Sequence, residues 1–332
     1  SPEAMERCAL DEKAPHTNVA NPSISAAIRC TGPIKEPIPP PTKPNFNFLD
    51  LIVLASFSFW VSDYKVQVRI RYWEKLMSTK IVPISVQLYS VRDASAENFD
   101  QVLDIIARLG FKGVEPFHLF GKTPTEFKKQ VEDLGMEVSS THFPWVNRNP
   151  DIGRVADIVK ELGLNRIPGG YGPDDFKDMD AVNRTIETTQ AFVDQLKPYD
   201  LTLFLHNHYW EFNEIQGRPG YHYLQDAIPE LTFELDTYWA ANFGNNDPAA
   251  ELTRIKERTP LMHIKDGPLK PDMPHVAVGS GAMNIAKVFA AADPEVFEWA
   301  VVELDACATD MLTAIARSYK YLTENGLAEG NV

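Results

Sequence analysis

The chain has 332 residues, 44% of them apolar and 23% charged. That balance suits a folded globular protein and excludes a mostly disordered, collagenous or multi-span membrane chain. A net charge of −14 argues against a general nucleic-acid binder, which needs cations to neutralise phosphates. Of Cys8, Cys30 and Cys307, only the last lies in the main body. The three give neither a disulfide framework nor zinc-ribbon spacing, so the body is expected in a reducing, cytoplasmic compartment.

Residues 1–76 differ from the rest. They hold 9 of the 25 prolines, one of the 18 glycines and a net charge of +1, leaving −15 on 77–332. Pro33–Pro44 suits an extended, solvated chain. Phe46–Val61 is an apolar run of 16 residues broken by Asp50, short of the ~20 that span a bilayer. It is also too far from the start for an ordinary signal peptide. Three readings compete: a membrane anchor, an ordered extension, or an upstream segment foreign to the native protein. Met77-Ser-Thr-Lys just before the first strand favours the third. The expected division is a poorly structured extension over 1–76 and one domain over 77–332, the latter with no membrane segment.

From Met77 onward, short apolar runs alternate with amphipathic stretches. Strands are expected at 82–90, 112–117, 136–142, 164–169, 201–207, 231–237, 260–265 and 298–305. Helices are expected at 96–109, 123–134, 151–162, 174–197, 219–228, 247–257, 283–292 and 308–325. In the first helix Phe99, Val102, Leu103, Ile106 and Leu109 follow one helix face, and Gly110 stops it. Thr123, Pro124 and Glu126 form a capping box with proline at the first position. Strand–helix alternation implies parallel strands with crossover helices. Eight pairs in 256 residues suit an α/β fold of the (β/α)₈ TIM barrel class. No dinucleotide fingerprint or P-loop is present.

Barrel sites lie at the C-terminal ends of the strands. Those ends carry Glu115; His142; His206, His208 and Glu211; Glu234, Asp236 and Trp239; His263 and Lys265; Glu303 and Asp305. Strand residues two apart face the same way, so these groups converge on the barrel mouth. Taken singly, each histidine reads as a hydrogen-bonded core residue and each carboxylate as a helix cap. Together they would be costly to bury without a counter-charge. A dication supplies one, and a His/Asp/Glu set without thiolate suits Mn, Mg, Co or Zn. Gly169–Gly172 and Gly279–Gly281 could offer backbone N–H groups to a phosphate, but read more simply as turns.

On these pieces the sequence resembles the xylose isomerase-like TIM barrel superfamily, in its sugar phosphate isomerase/epimerase branch. The motifs are Gly110–Glu115, His206-Asn207-His208 with Glu211, Leu235–Trp239, His263–Asp266, Val278–Gly281 and Glu303. Each is weak alone; their order and spacing over about 80–328 are specific. The resemblance implies one divalent ion held by His206, Asp236, His263 and Glu303. In the fifth-strand position His206, with His208 as the alternative two residues on, stands where the family uses an acid, which puts a symmetric two-glutamate epimerase mechanism in doubt. Trp239 stands where the endonuclease IV relatives carry a histidine, which argues against DNA repair.

The implied activity is isomerisation or epimerisation of a small sugar or keto-sugar. A proton is removed beside a carbonyl polarised by the ion, through an enediolate. Glu303, His208, Lys265 and Glu211 are the catalytic candidates. Glu115, His142, Trp145 and Trp239 are the substrate-binding candidates, with Glu115 open to a second reading as partner of a barrel-floor base. A lyase or dehydratase acting on a keto-sugar or inosose is the alternative, and a non-catalytic sugar-binding barrel the alternative of another class. The expected partner is a small carbohydrate, with no nucleic acid; homo-oligomers are common in the superfamily.

Overall fold

The computed structural model describes residues 81–148 and 151–331. The readings of residues 1–76 lie outside the described residues. Eight parallel strands carry the sheet: β1 (Val82–Gln87), β2 (Gly113–Glu115), β3 (Glu137–Val138), β4 (Arg166–Gly169), β5 (Thr202–His206), β8 (Thr232–Asp236), β9 (Leu261–Ile264) and β10 (Trp299–Val302). Their hydrogen-bonded order is β3-β2-β1-β10-β9-β8-β5-β4, so the sheet curls until β3 and β4 are its ends. A short antiparallel hairpin, β6 (Glu214–Ile215) with β7 (Arg218–Pro219), sits in the loop after β5. The terminal strand β11 (Ala328–Glu329) pairs with the start of β1, Val82 opposite Ala328.

The longer barrel strands, β1, β5, β8, β9 and β10, are mostly apolar and buried because both of their faces are covered. Ile84, Val86, Phe204, Phe233, Leu235 and Val302 are fully buried. Helix α1 (Arg92–Leu109) buries Phe99, Val102, Leu103 and Ile106 along one stripe, and ends at Gly110 with φ of 100°. That left-handed stop favours glycine. The helix begins four residues earlier than expected and bends at Asn98. In α2 (Pro124–Asp133) both halves of the Thr123–Glu126 capping box form, a contribution of about 1 kcal/mol. The remaining helices are α3 (Ile152–Glu161), α4 (Met179–Leu196), α5 (Gly220–Ala227), α6 (Thr237–Ala240), α7 (Pro248–Ile255), α8 (Ile285–Ala291) and α9 (Met311–Glu324).

All eight barrel strands are shorter than expected, and in two the difference bears on the site and the seam. The third has only two ladder residues, and the eighth stops at Val302, so Glu303 and Asp305 lie beyond it. Among the described residues no ladder joins β3 to β4. Side chains close this seam instead. Asn147 Nδ2 donates to the Gly170 carbonyl at 2.5 Å. The Trp145 ring lies so close over Gly170 that an added Cβ would meet it at 2.3 Å. Pro168, in the terminal strand β4, lacks the N–H that an extended ladder would use.

This architecture sets the site. Gln87, Glu115, His206 and Asp236 are the last residues of β1, β2, β5 and β8, and His263 is next to last in β9.

Candidate metal and proton-transfer centre

His206, Asp236, His263 and Glu303 converge with one ligand atom apiece, all within 4.8 Å of one another, and all four residues are buried. His263 Nδ1 lies 2.6 Å from Glu303 Oε2 and 3.9 Å from Asp236 Oδ2. His206 Nε2 lies 3.4 Å from Asp236 Oδ2. Asp236 Oδ2 and Glu303 Oε2 face the Lys265 ammonium as well as the histidines. Both His206 ring nitrogens and His263 Nδ1 are buried with no hydrogen-bond partner. Buried polar atoms are rarely left so. Two imidazoles and two carboxylates whose ligand atoms face one another fit a divalent ion of intermediate hardness.

Asp236 divides its duties. Its Oδ1 accepts from the Tyr238 and Trp239 N–H groups, at 3.1 and 3.0 Å, and caps α6. That fixes the carboxylate plane and turns Oδ2 toward the histidines. Asn207 ties the same strand end to β5, accepting from Asp236 N at 3.0 Å and donating to the Asp236 carbonyl at 3.2 Å.

A second layer lies against the first. Gln87 Nε2 donates to Glu115 Oε1 at 2.5 Å, and His263 Nε2 lies 2.7 Å from the same oxygen. His142 Nε2 is 2.6 Å from Glu234 Oε2 and 3.4 Å from Glu115. Glu115 therefore touches His263 and His142, which suits the reading as partner of a buried base. With Nε2 engaged by Glu115, the opposite nitrogen of His263 is the one that faces the ligand cluster. His142 is buried between the carboxylates, with Trp145 at a ring separation of 4.9 Å and His206 at 4.8 Å.

Lys265 enters the same cluster. Its ammonium lies 2.8 Å from Asp236 Oδ2, 2.8 Å from Glu303 Oε2 and 3.0 Å from Asp305 Oδ2, with its side chain 1% exposed. It also sits 5.5 Å above the Trp239 ring. Burial pushes the Asp236 and Glu303 carboxyls up, but Lys265 and the imidazoles more than offset it and hold both below the ordinary carboxylate range. Burial pulls Lys265 and His263 down, and the carboxylates around them win, raising both well above their usual values. His206 is the exception: burial takes it down to about 3, which keeps a neutral imidazole. Burial and the neighbouring Glu234 push Glu115 up to about 7.

His208 and Glu211 stand apart from the ligand cluster. His208 lies one ring from His206, at 5.1 Å, and stacks on Trp210 at 4.1 Å. Glu211 accepts from the His208 N–H at 2.9 Å, and its other oxygen lies 3.8 Å from His208 Nδ1. Glu211 is 1% exposed and touches the site through His208. Trp145 and Trp239 are half-buried, Trp145 against His142 and Trp239 beneath the Lys265 ammonium.

The two glycine turns are filled by the chain itself. Asp266, fully buried, accepts from Gly267 and Met283 N–H on Oδ1 at 2.8 and 3.1 Å. It accepts from Gly279 and Gly281 N–H on Oδ2, both at 2.9 Å. Ser280 N–H donates to the Ala277 carbonyl. In the other turn Gly172 N–H donates to Asp175 and Gly170 N–H to Asn147. Neither turn has these N–H groups to spare for a phosphate.

Three participants escaped the sequence reading as site residues: Gln87, Glu234 as the partner of His142, and His275. His275 Nδ1 accepts from Asp305 N–H at 3.1 Å and so fixes the residue that holds Lys265. The one available signal was a polar side chain at the end of an apolar strand, as in Gln87.

Residues 103–324 match the xylose isomerase-like TIM barrel family, which is more than half of the chain. The chain belongs to that family. A sugar phosphate isomerase/epimerase from Parabacteroides distasonis superposes with a TM-score of 0.63 at 22% identity, over 76% of this chain and 97% of that one. A D-allulose 3-epimerase from Methylomonas sp. gives 0.54 at 16%, over 74% and 98%. A probable 3-DHS dehydratase from Bacillus anthracis gives 0.54 at 14%, over 73% and 99%. At such identities these likenesses show the fold alone. No curated protein matches the sequence. Among the described residues no helix is long and apolar enough to cross a membrane.

Proposed function

We propose that this xylose isomerase-like barrel is a divalent-metal-dependent isomerase or epimerase of a small, unphosphorylated sugar or keto-sugar. The observation that carries this is the convergence of ligand atoms from His206, Asp236, His263 and Glu303 at the barrel mouth, with the facing histidine nitrogens left without hydrogen-bond partners. A bound divalent ion supplies Lewis acidity toward a carbonyl and its neighbouring hydroxyl, which acidifies the adjacent C–H.

The chain's own residues do the rest. Glu303, held ionised by Lys265 and His263, takes the proton from the carbon next to the carbonyl. Lys265, one ammonium among three carboxylates, stabilises the negative charge that develops on the enediolate oxygen. His208, oriented by Glu211, stands beyond His206 and returns a proton from the other side. Trp145 and Trp239 form the apolar walls against which a sugar ring packs. The internally capped glycine turns support a substrate without phosphate.

One observation favours a second reading. The Lys265 ammonium, steadied by Asp305, is placed to protonate a departing hydroxyl, which would make the enzyme a lyase or dehydratase on a keto-sugar or inosose.

The test is to load the full chain with Mn²⁺ and incubate it in D₂O with a panel of ketoses, aldoses and inososes. Deuterium entering a C–H next to a carbonyl, lost in Glu303→Gln, is the expected result. Retained carbon skeleton and formula mark the isomerase, and loss of water marks the lyase. A metal-loaded protein that binds sugars yet labels none of them is a non-catalytic binding barrel.

A further inference from the structure

The Lys265 side chain is buried, 1% exposed. Its ammonium rests on Asp236 Oδ2 and Glu303 Oε2, 2.8 Å from each. The same two oxygens face the histidine nitrogens, Glu303 Oε2 at 2.6 Å from His263 Nδ1 and Asp236 Oδ2 at 3.4 Å from His206 Nε2. An ion bound by the four residues must therefore draw on the atoms that the ammonium holds. Two cations on shared carboxylate oxygens repel strongly in a buried site, where water does not screen them. The third partner differs. Asp305 lies 3.0 Å from the ammonium, its side chain is 27% exposed, and it is outside the ligand set. Its backbone N–H donates to His275 Nδ1 at 3.1 Å, and Arg92 Nη2 donates to its carbonyl at 2.9 Å. Asp305 is thus anchored on both sides of its side chain.

We infer that Lys265 is a resident counter-cation that a divalent ion displaces from Asp236 and Glu303, and that Asp305 is the carboxylate onto which the ammonium withdraws. This rests on the metal reading proposed above. In the absence of an ion the ammonium offsets the cost of two buried carboxylates. On ion entry it keeps one partner and stays beside the reacting group. Lys265 then sets metal affinity as a positioning residue, in addition to any contact with substrate. Asp305 sets how easily it yields.

The experiment measures Mn²⁺ affinity of the full-length protein by competition with a chelating dye, for wild type, Lys265→Met, Asp305→Asn and the double variant. Removing the competitor is expected to tighten Mn²⁺ binding by about tenfold or more. Asp305→Asn is expected to weaken binding about threefold while Lys265 is present, and to change it less than about twofold in Lys265→Met, because the pair acts as a unit. Lys265→Gln, whose amide still donates to a carboxylate, replaces Lys265→Met if that variant does not fold.

If Lys265→Met binds no more tightly than wild type, the displacement is overturned while the metal site stands. Equal effects of Asp305→Asn in both backgrounds overturn the role of Asp305 by reducing it to a distant charge. No Mn²⁺ on any of the four proteins overturns the displacement and the metal reading together. Binding by Lys265→Met alone supports displacement in its strongest form.

Discussion

Asp236 and Asp266 are both fully buried aspartates, one ending β8 and the other two residues beyond β9. Asp266 accepts four backbone N–H bonds, two on each oxygen. Asp236 accepts two, both on Oδ1, and turns Oδ2 away from the backbone toward the histidines and the Lys265 ammonium. Burial alone does not separate the two; satisfaction by the backbone does. A carboxylate whose oxygens are all engaged by the backbone holds a loop in place. One that keeps an oxygen off the backbone in a dry site holds the means to bind a cation, and that oxygen marks where.

The sharpest way to break this contrast is to change each aspartate in turn. Asp236→Asn keeps an oxygen for the two α6 N–H groups. It is expected to cost more metal affinity than the roughly 10–100-fold that an outer partner is worth, with little change in the unfolding midpoint. Asp266→Ala leaves four donors unpaired. It is expected to lower stability by about 4 kcal/mol or more, without removing any ligand of the quartet. Chemical denaturation and metal titration of both variants check the pair. A large stability loss in Asp236→Asn, or a metal loss without destabilisation in Asp266→Ala, would exchange their roles.

A smaller effect tests the layer behind the ligands. Glu115→Gln keeps a hydrogen-bonding group for His263 but loses the charge. Metal affinity is expected to fall about 10–100-fold, with the Mn²⁺ stoichiometry retained at saturation. Complete loss of the ion would move Glu115 into the ligand set.

The smallest effect is on protons. Burial pulls His263 down, but Glu234, Glu303 and Glu115 raise it well above its usual value, which favours the protonated imidazole. Ligation needs the Nδ1 lone pair. Ion binding is therefore expected to expel about one proton and to strengthen as pH rises. Calorimetry in two buffers of different ionisation enthalpy reads this directly; identical binding enthalpies would remove a protonated His263 from the site.

Much of the barrel was legible in the sequence because its signals are local. The stripe from Phe99 to Ile106, the Thr123–Glu126 box and the glycine stop at Gly110 are each decided within a few residues. Period-two spacing likewise brought His263 with Lys265, and Glu303 with Asp305, onto one ammonium and one cluster. What stayed hidden depends on pairs distant in the chain. Glu115 and His263 are separated by 148 residues, and their bond needs the whole barrel closed around it. The two-residue β3 was also hidden, since Ser139, Ser140 and Thr141 stay buried beyond Val138 while the ladder stops there. Asp266 was quoted within a motif, but nothing local tells that its carboxylate fills the glycine turn ahead of any phosphate.

The pairing of β11 with β1 has a practical consequence. Val82 and Ala328 stand opposite each other on adjacent parallel strands, so the barrel's last strand finishes beside its first, on the face away from the histidines and carboxylates. The chain from β1 to β11 is nearly a ring. A short linker could join those ends and new termini be opened in a helix-to-strand turn on the same face, giving a circular permutant with its mouth undisturbed. A fluorescent reporter fused after Asn331 would likewise hang from the floor and leave the entrance open to solvent.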